Sequence, residues 1–203
     1  MFNVRTIAVS FALALVLSAA VSAAEPNRDP AAVQPGTYTL ETTHTRVLFA
    51  TSHLGFSTWY GDFSGASGSL VLDPANPGAA KLSVAIPVAS VSTTNTALDG
   101  ELKSADWFDA EKFPAITFVS TKVTPTGKTT ATVTGDLTFH GVTRPVTLAA
   151  SFNASGSNPM RKTFTIGFEV KGTLKRSDFG VAKYVPLVGD EVDLIISAPF
   201  EKN

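Results

Sequence analysis

The 203-residue chain contains no cysteine. That excludes a disulfide framework, a thiol nucleophile and a lipid-modified cysteine anchor, so the fold must hold by its core alone. Tryptophan (2), methionine (2), tyrosine (3) and histidine (3) are scarce. Only 16% of residues are charged, and the formal net charge is −1 with no basic run. Such a balance leaves no electrostatic footprint for nucleic acid or an anionic membrane surface. The apolar run at residues 7–17 falls short of the roughly 20 residues that span a bilayer, so no stable membrane anchor is expected.

That run has another reading. Arg5 precedes it, and residues 18–24 are almost all small. Residues 1–24 therefore read as a secretory signal peptide, cleaved after Ala23 or Ala24, and the protein is expected to be exported. Residues 25–35 hold proline and alanine and read as a flexible lead-in. Residues 36–203 suit a single domain.

Within that domain the apolar residues recur at alternate positions. Val47, Phe49, Thr51 and His53 share one side of a strand over Arg46–His53. Residues 63–73 are rich in Gly and Ser before Leu70 and Leu72. Leu82, Val84 and Ile86 alternate, as do Ile116 and Phe118; Val146, Leu148, Ala150 and Phe152; Phe164, Ile166, Phe168 and Val170; and Val192, Leu194, Ile196, Ala198 and Phe200. Asp73-Pro74, Asn76-Pro77-Gly78, Thr126-Gly127 and Ser155-Gly156 mark turns. Residues 135–146 read as two strands meeting at a tight turn at Gly141. One segment breaks the rule. Leu98, Leu102, Ala105 and Phe108 have helical spacing, Asn95 or Thr96 can cap the helix, and Phe113-Pro114 ends it.

These patterns predict an all-β, antiparallel fold of about eight strands with one short helix near residues 96–109. A closed barrel and a β-sandwich both satisfy the alternation. The 14 phenylalanines supply large apolar area without a polar handle. An eight-stranded barrel fills its interior with side chains or keeps room for one small ligand. Small residues among the Phe positions (Gly61, Gly65, Ala66, Gly68, Gly135, Ala149, Ala150, Gly167) favour room.

Catalytic signals are weak. His44 and His53 lie an odd number of positions apart and point to opposite faces of one regular strand; with His140 they lack zinc-like spacing. No metal, cofactor or catalytic residue is expected. Asp99, Glu101, Asp106 and Asp109 read as a solvated helix surface. Ser177 lacks a nucleophile-elbow context. Arg176 and Asp178 are expected to fix a loop through an ion pair or capping bonds.

Five ordered stretches carry a family resemblance. They are Tyr38 through His44-Thr45-Arg46-Val47-Leu48-Phe49 to His53; Gly61-Asp62-Phe63 with Gly65 and Gly68; residues 99–109 with Phe113-Pro114 and Ile116-Thr117-Phe118; Gly135-Asp136-Leu137-Thr138-Phe139-His140-Gly141-Val142-Thr143-Arg144-Pro145-Val146; and Arg176-Ser177-Asp178-Phe179-Gly180. In order and spacing they resemble the YceI-like family of periplasmic lipid-binding barrels. Glu101 stands where the family usually has histidine, and Trp107 where it usually has a Phe-like residue.

The resemblance implies an eight-stranded lipocalin-like barrel in the periplasm. It further implies a carrier or sequestering protein for a polyisoprenoid or an isoprenoid quinone, without catalysis. Ligand contacts are expected from Phe49, His53, Phe63, Phe118, Phe139, Phe152 and Phe179, with His44, Glu101 and Arg176 as polar or head-group residues. A barrel enzyme using His44 or His53, or an interaction module serving a membrane redox partner, are the competing readings. A homodimer is compatible with a chain that protrudes from the mouth.

Overall fold

The computed structural model describes residues 25–203, and the signal-peptide expectation lies outside them. Ten strand segments form: β1 Gly36–Leu40, β2 Arg46–His53, β3 Ser57–Phe63, β4 Ser67–Leu72, β5 Lys81–Pro87, β6 Ala115–Pro125, β7 Thr130–Phe139, β8 Val142–Ser157, β9 Phe164–Lys175 and β10 Glu191–Lys202. One helix, α1 Thr96–Lys103, joins β5 to β6.

The pairing closes a ring. β4 through β10 pair in the order β4-β5-β6-β7-β8-β9-β10, each antiparallel to the next. β10 then uses its two halves separately. Its first half pairs with β2, from Asp193↔Ala50 to Ser197↔Arg46, and its second with β1, from Leu40↔Phe200 to Tyr38↔Lys202. β1 and β2 are thus two halves of one strand, bent at residues 41–45, where the Thr45 hydroxyl donates to the Glu41 carbonyl at 2.7 Å. β3 and β4 are likewise halves of one strand, interrupted at residues 64–66, where Gly65 has φ 69°. The result is a closed barrel of eight strands, and closure removes the sandwich alternative. The strand at Ser57–Phe63 was not anticipated, although Trp59, Gly61 and Phe63 do alternate.

Local chemistry explains the connections at one end. His140 and Gly141 form the two-residue β7–β8 turn, both with positive φ (51° and 74°), the geometry that matches strand twist. The Asn95 side chain accepts from the Ala97 and Leu98 N–H groups at the start of α1. The helix ends at Lys103 and does not run to 109. The Ser104 N–H and hydroxyl both turn back to the Glu101 carbonyl, and the chain then coils so that Phe108 N–H donates to Leu102 O. Phe108 and Trp107 still reach the core, because the coil delivers them there without helical spacing.

The lead-in is laid against the barrel and does not hang free. Asn27 and Ser155 exchange backbone hydrogen bonds of 2.7 and 2.8 Å, and Val33 is buried with Tyr38, Leu40, Ile166 and Phe200. Sequence composition missed this because a single buried Val carries no periodicity. The buried residues fall into two clusters. One lies under α1 around Phe63, Phe108, Phe118, Phe139 and Phe179; the other, around Tyr38, Leu70, Ile166 and Phe200, fills the opposite end.

Candidate functional site: an apolar lumen with one furnished mouth

Between and alongside those clusters runs a cavity of about 460 Å³. It reaches from His53, Trp59 and Tyr184 at the α1 end to Leu72, Val123 and Ala131 near the other. Its size falls within the roughly 300–1,000 Å³ typical of small-molecule sites. The walls are inward residues of the strands: Val47 and Phe49, Leu82 to Ile86, Ile116 and Phe118, Leu137 and Phe139, Val146 to Ala150, Leu194 to Phe200. Alternation is the cause, since every second side chain of a barrel strand must face in.

The inward glycines do not all leave space. A Cβ on Gly61 would run into the ring of Phe49, its cross-strand partner, and a Cβ on Gly135 into the ring of Phe118. These glycines seat phenylalanines flat against the wall. The lumen is therefore shaped by Phe rings lying over glycine, with Ala66 and Ala150 as small wall residues.

Of the expected ligand contacts, Phe49, His53, Phe63, Phe118 and Phe139 line the cavity together. Phe152 and Phe179 do not. Phe152 faces inward but packs edge-on against Phe168, ring centres 5.8 Å apart, just before a bulge between Phe152 and Ala154. Alternation gives its face but not its depth along the barrel. Phe179 is buried behind Phe139 (5.9 Å), in the short 3₁₀ turn Arg176–Phe179. Phe168, Leu194, Trp59, Trp107 and Tyr184 are wall residues the expected set omits. Phe168 and Leu194 were legible as inward positions, whereas Trp107 and Tyr184 come from irregular segments with no period.

Charged groups enter the wall only at the mouth, as Glu101 and Arg176. Arg176 is buried. Its Nε donates to the Gly189 carbonyl (2.8 Å), one terminal nitrogen to Val181 O (2.7 Å) and the other to Val188 O (2.8 Å). Its guanidinium also lies 5.4 Å from the Trp107 ring. Burial pushes its pKa down from the ordinary arginine value, and the neighbouring Asp190 carboxylate opposes that. Arg176 thus does fix a loop, but through carbonyls. The capping carboxylate is Asp190, which accepts from the Ser177 N–H (2.9 Å) and hydroxyl (2.7 Å), rather than Asp178.

The loop held by Arg176, residues 181–190, lies across the mouth. Leu54 N–H donates to Leu187 O and Gly189 N–H to Ser52 O, each at 2.7 Å, which sews the loop to the β2 edge. On its other side the Tyr184 ring meets Trp107 edge-on at 6.1 Å, and Lys183 Nζ pairs with Asp106 at 2.9 Å. Trp107 Nε1 donates to Glu101 Oε1 at 2.9 Å. Asp99, expected to be solvated, accepts from Thr93 N–H (2.6 Å) and Oγ1 (2.7 Å) and fixes the approach to α1.

The three histidines are dispersed. His53 is in the mouth wall, its ring 5.5 Å from Trp59. His140 supports the hairpin turn. His44 is exposed at the strand bend, bonded to Glu41 at 2.7 Å and outside the lumen lining. Among the described residues no group of three His, Cys, Asp or Glu side chains converges as a metal site.

Comparison with known proteins agrees with this architecture. The chain is 43% identical over 154 residues to a UPF0312 protein of Ectopseudomonas mendocina, covering 76% of this chain and 80% of that one. Burkholderia cenocepacia BcnA superposes with a TM-score of 0.71 at 27% identity, covering 79% of this chain and 98% of that one. A polyisoprenoid binding domain from Saccharophagus degradans, implicated in plant cell wall breakdown, shares the fold at a TM-score of 0.59 and 15% identity, covering 84% of this chain and 100% of that one. The YceI-like domain model matches residues 38–200, nearly all of the barrel, and the chain belongs to that family.

Proposed function

We propose that the protein is a periplasmic carrier or sequestering protein that holds one isoprenoid chain in its lumen, with a neutral head such as a quinone or an alcohol at the mouth. The observation that carries this reading is the wall itself: an apolar tube whose only charged members, Glu101 and Arg176, stand at one end. An isoprene unit adds five carbons of apolar burial, roughly 3–4 kcal/mol before ordering costs at ~0.8 kcal/mol per CH₂. A few units therefore give useful affinity, and a longer chain folds inside the lumen or extends from it. The polyisoprenoid binding domain named above, with the same fold, supports the ligand class.

The mouth favours a neutral head. Arg176, the cation in the wall, already donates to three carbonyls, and the Glu101 carboxylate would repel an anion. Both charged wall groups are committed to the protein's own structure, Glu101 to Trp107 and Arg176 to its loop, which fits binding better than turnover.

Native mass spectrometry of protein purified without detergent tests the reading. A co-purifying mass built of isoprene repeats is expected, and it should disappear in Phe118→Asp. Because an aspartate there threatens folding, Ala150→Trp, which fills the lumen, is the companion variant. An empty wild-type chain, or a lipid that survives in a folded Ala150→Trp variant, overturns the proposal.

A further inference from the structure

The mouth carries a second feature outside the lumen. Leu54, Phe56, Tyr60, Tyr184, Val185 and Leu187 are all exposed, Phe56 by 92%. They come from two segments: the β2–β3 turn with the start of β3, and the loop of residues 181–190. The Leu54–Leu187 hydrogen bond and the His53↔Val188 bridge join the two into one surface. Tyr60 and Tyr184 also border the cavity, so the exposed patch and the apolar lumen are continuous.

We propose, building on the lipid-binding reading, that this patch docks the barrel mouth-down on a lipid bilayer, so that the isoprenoid chain passes between lumen and membrane without crossing water. Three properties select a bilayer. The first is charge. Residues 47–61 and 184–189 contain no Asp, Glu, Lys or Arg, and Lys183 at the border is paired with Asp106. A patch without charge complements an uncharged hydrocarbon boundary and offers nothing to a charged protein partner. The second is size. Six apolar side chains fall far below the roughly 20–30 residues per side of a stable protein interface, which a second copy of the chain would need. The third is order of chemistry. Leu54, Phe56 and Leu187 are purely apolar, while Tyr60 and Tyr184 carry hydroxyls on apolar rings, the kind of side chain that settles at the headgroup level.

Vesicle flotation tests the proposal, with purified protein and vesicles of phosphatidylcholine and phosphatidylethanolamine. The wild-type protein should float with vesicles, and added salt should not release it. Phe56→Ser and Leu187→Ser should each lower the bound fraction about tenfold, in line with the apolar burial each side chain would lose. Both side chains are solvent-exposed, so thermal melting should be unchanged. Val119→Ser, an exposed apolar residue outside the patch, should bind as wild type. Native mass spectra of Phe56→Ser should still show the retained lipid, which separates loss of docking from loss of ligand. Failure of the wild type to float, equal flotation of the variants, or a concentration-dependent dimer that Phe56→Ser dissolves would each overturn the docking surface. A wild type that floats yet holds no lipid would uphold docking and overturn the carrier reading.

Discussion

The indole Nε1 of Trp107 donates to Oε1 of Glu101 at 2.9 Å. Both residues stand out when the sequence is set beside the family it resembles, and the structure bonds them to each other. A carboxylate at the edge of an apolar mouth needs a donor, and the bulkier Trp107 supplies one while its ring supports Arg176 and Tyr184. The pair should therefore behave as a unit. Glu101→Ala and Trp107→Phe, each of which removes one partner of the hydrogen bond, are each expected to cost about 1 kcal/mol or somewhat more, and the double variant less than their sum. Urea unfolding of the four proteins measures the coupling; strict additivity would dissolve the unit.

Arg176 should tolerate no conservative replacement. Three carbonyls at fixed directions match the planar fork of a guanidinium, and an ammonium cannot reach all three. Arg176→Lys is expected to cost about 3 kcal/mol, because it strands buried carbonyls that have lost their donors. The mouth loop should loosen before the barrel does. Hydrogen exchange at the Leu54 and Gly189 amides, which tie the loop to β2, should accelerate while amides of β6 and β7 stay protected. Equal exchange in variant and wild type would deny Arg176 its role as a latch.

Much of the barrel was legible in the sequence, and the reason is its period. Alternation placed Phe49, His53, Phe63, Phe118 and Phe139 on the inner face, and they meet around one cavity. It had no means of giving depth, so Phe152 was set beside them although it packs beneath the lumen on Phe168. The most specific sequence stretches are structural partners: His140 Nδ1 lies 3.2 Å from the Phe179 carbonyl oxygen, which joins the β7–β8 turn to the Arg176 turn. Composition also misled on glycine. Gly61 and Gly135 read as spare room, but their missing Cβ atoms are occupied by Phe rings. The mouth was the least legible part, because Trp107, Tyr184 and residues 181–190 follow neither a strand nor a helix period.

The glycine seats make a direct prediction. Gly61→Val places two methyl groups where the Phe49 ring now lies, and overpacking of this kind costs about 1–3 kcal/mol. The ring must tilt into the lumen, so retained lipid should fall as well. Phe49→Ala removes the clash, and in that background Gly61→Val should be nearly neutral for stability. Chemical unfolding and lipid content of the single and double variants check both halves. A Gly61→Val protein as stable and as loaded as wild type would show that the ring has room elsewhere.

Acid should weaken the barrel at the end remote from the mouth, through Glu41. This carboxylate is buried at the β1–β2 bend and accepts from Thr43 N–H (3.1 Å), His44 N–H (2.9 Å), His44 Nδ1 (2.7 Å) and Arg161 (2.8 Å). Arg161 also bonds Glu201 at 2.7 Å, so the network ties the β8–β9 turn to β10. Burial alone would raise the Glu41 pKa, but the hydrogen bonds from His44 and Thr43 outweigh it and hold the group at about 2, below the ordinary 4.5. A depressed folded-state pKa stabilises the fold above the unfolded value, and the contribution is lost as pH falls from about 4.5 towards 2. Its size at neutral pH is on the order of 3 kcal/mol. Asp190 is likewise held below the ordinary carboxylate value, by hydrogen bonds from Ser177 that outweigh its burial, so the informative quantity is the stability difference between wild type and Glu41→Gln. That difference should be near its maximum at pH 7 and shrink below about 1 kcal/mol near pH 2. A difference that is constant with pH would mean that Glu41 acts through its shape and not through its charge.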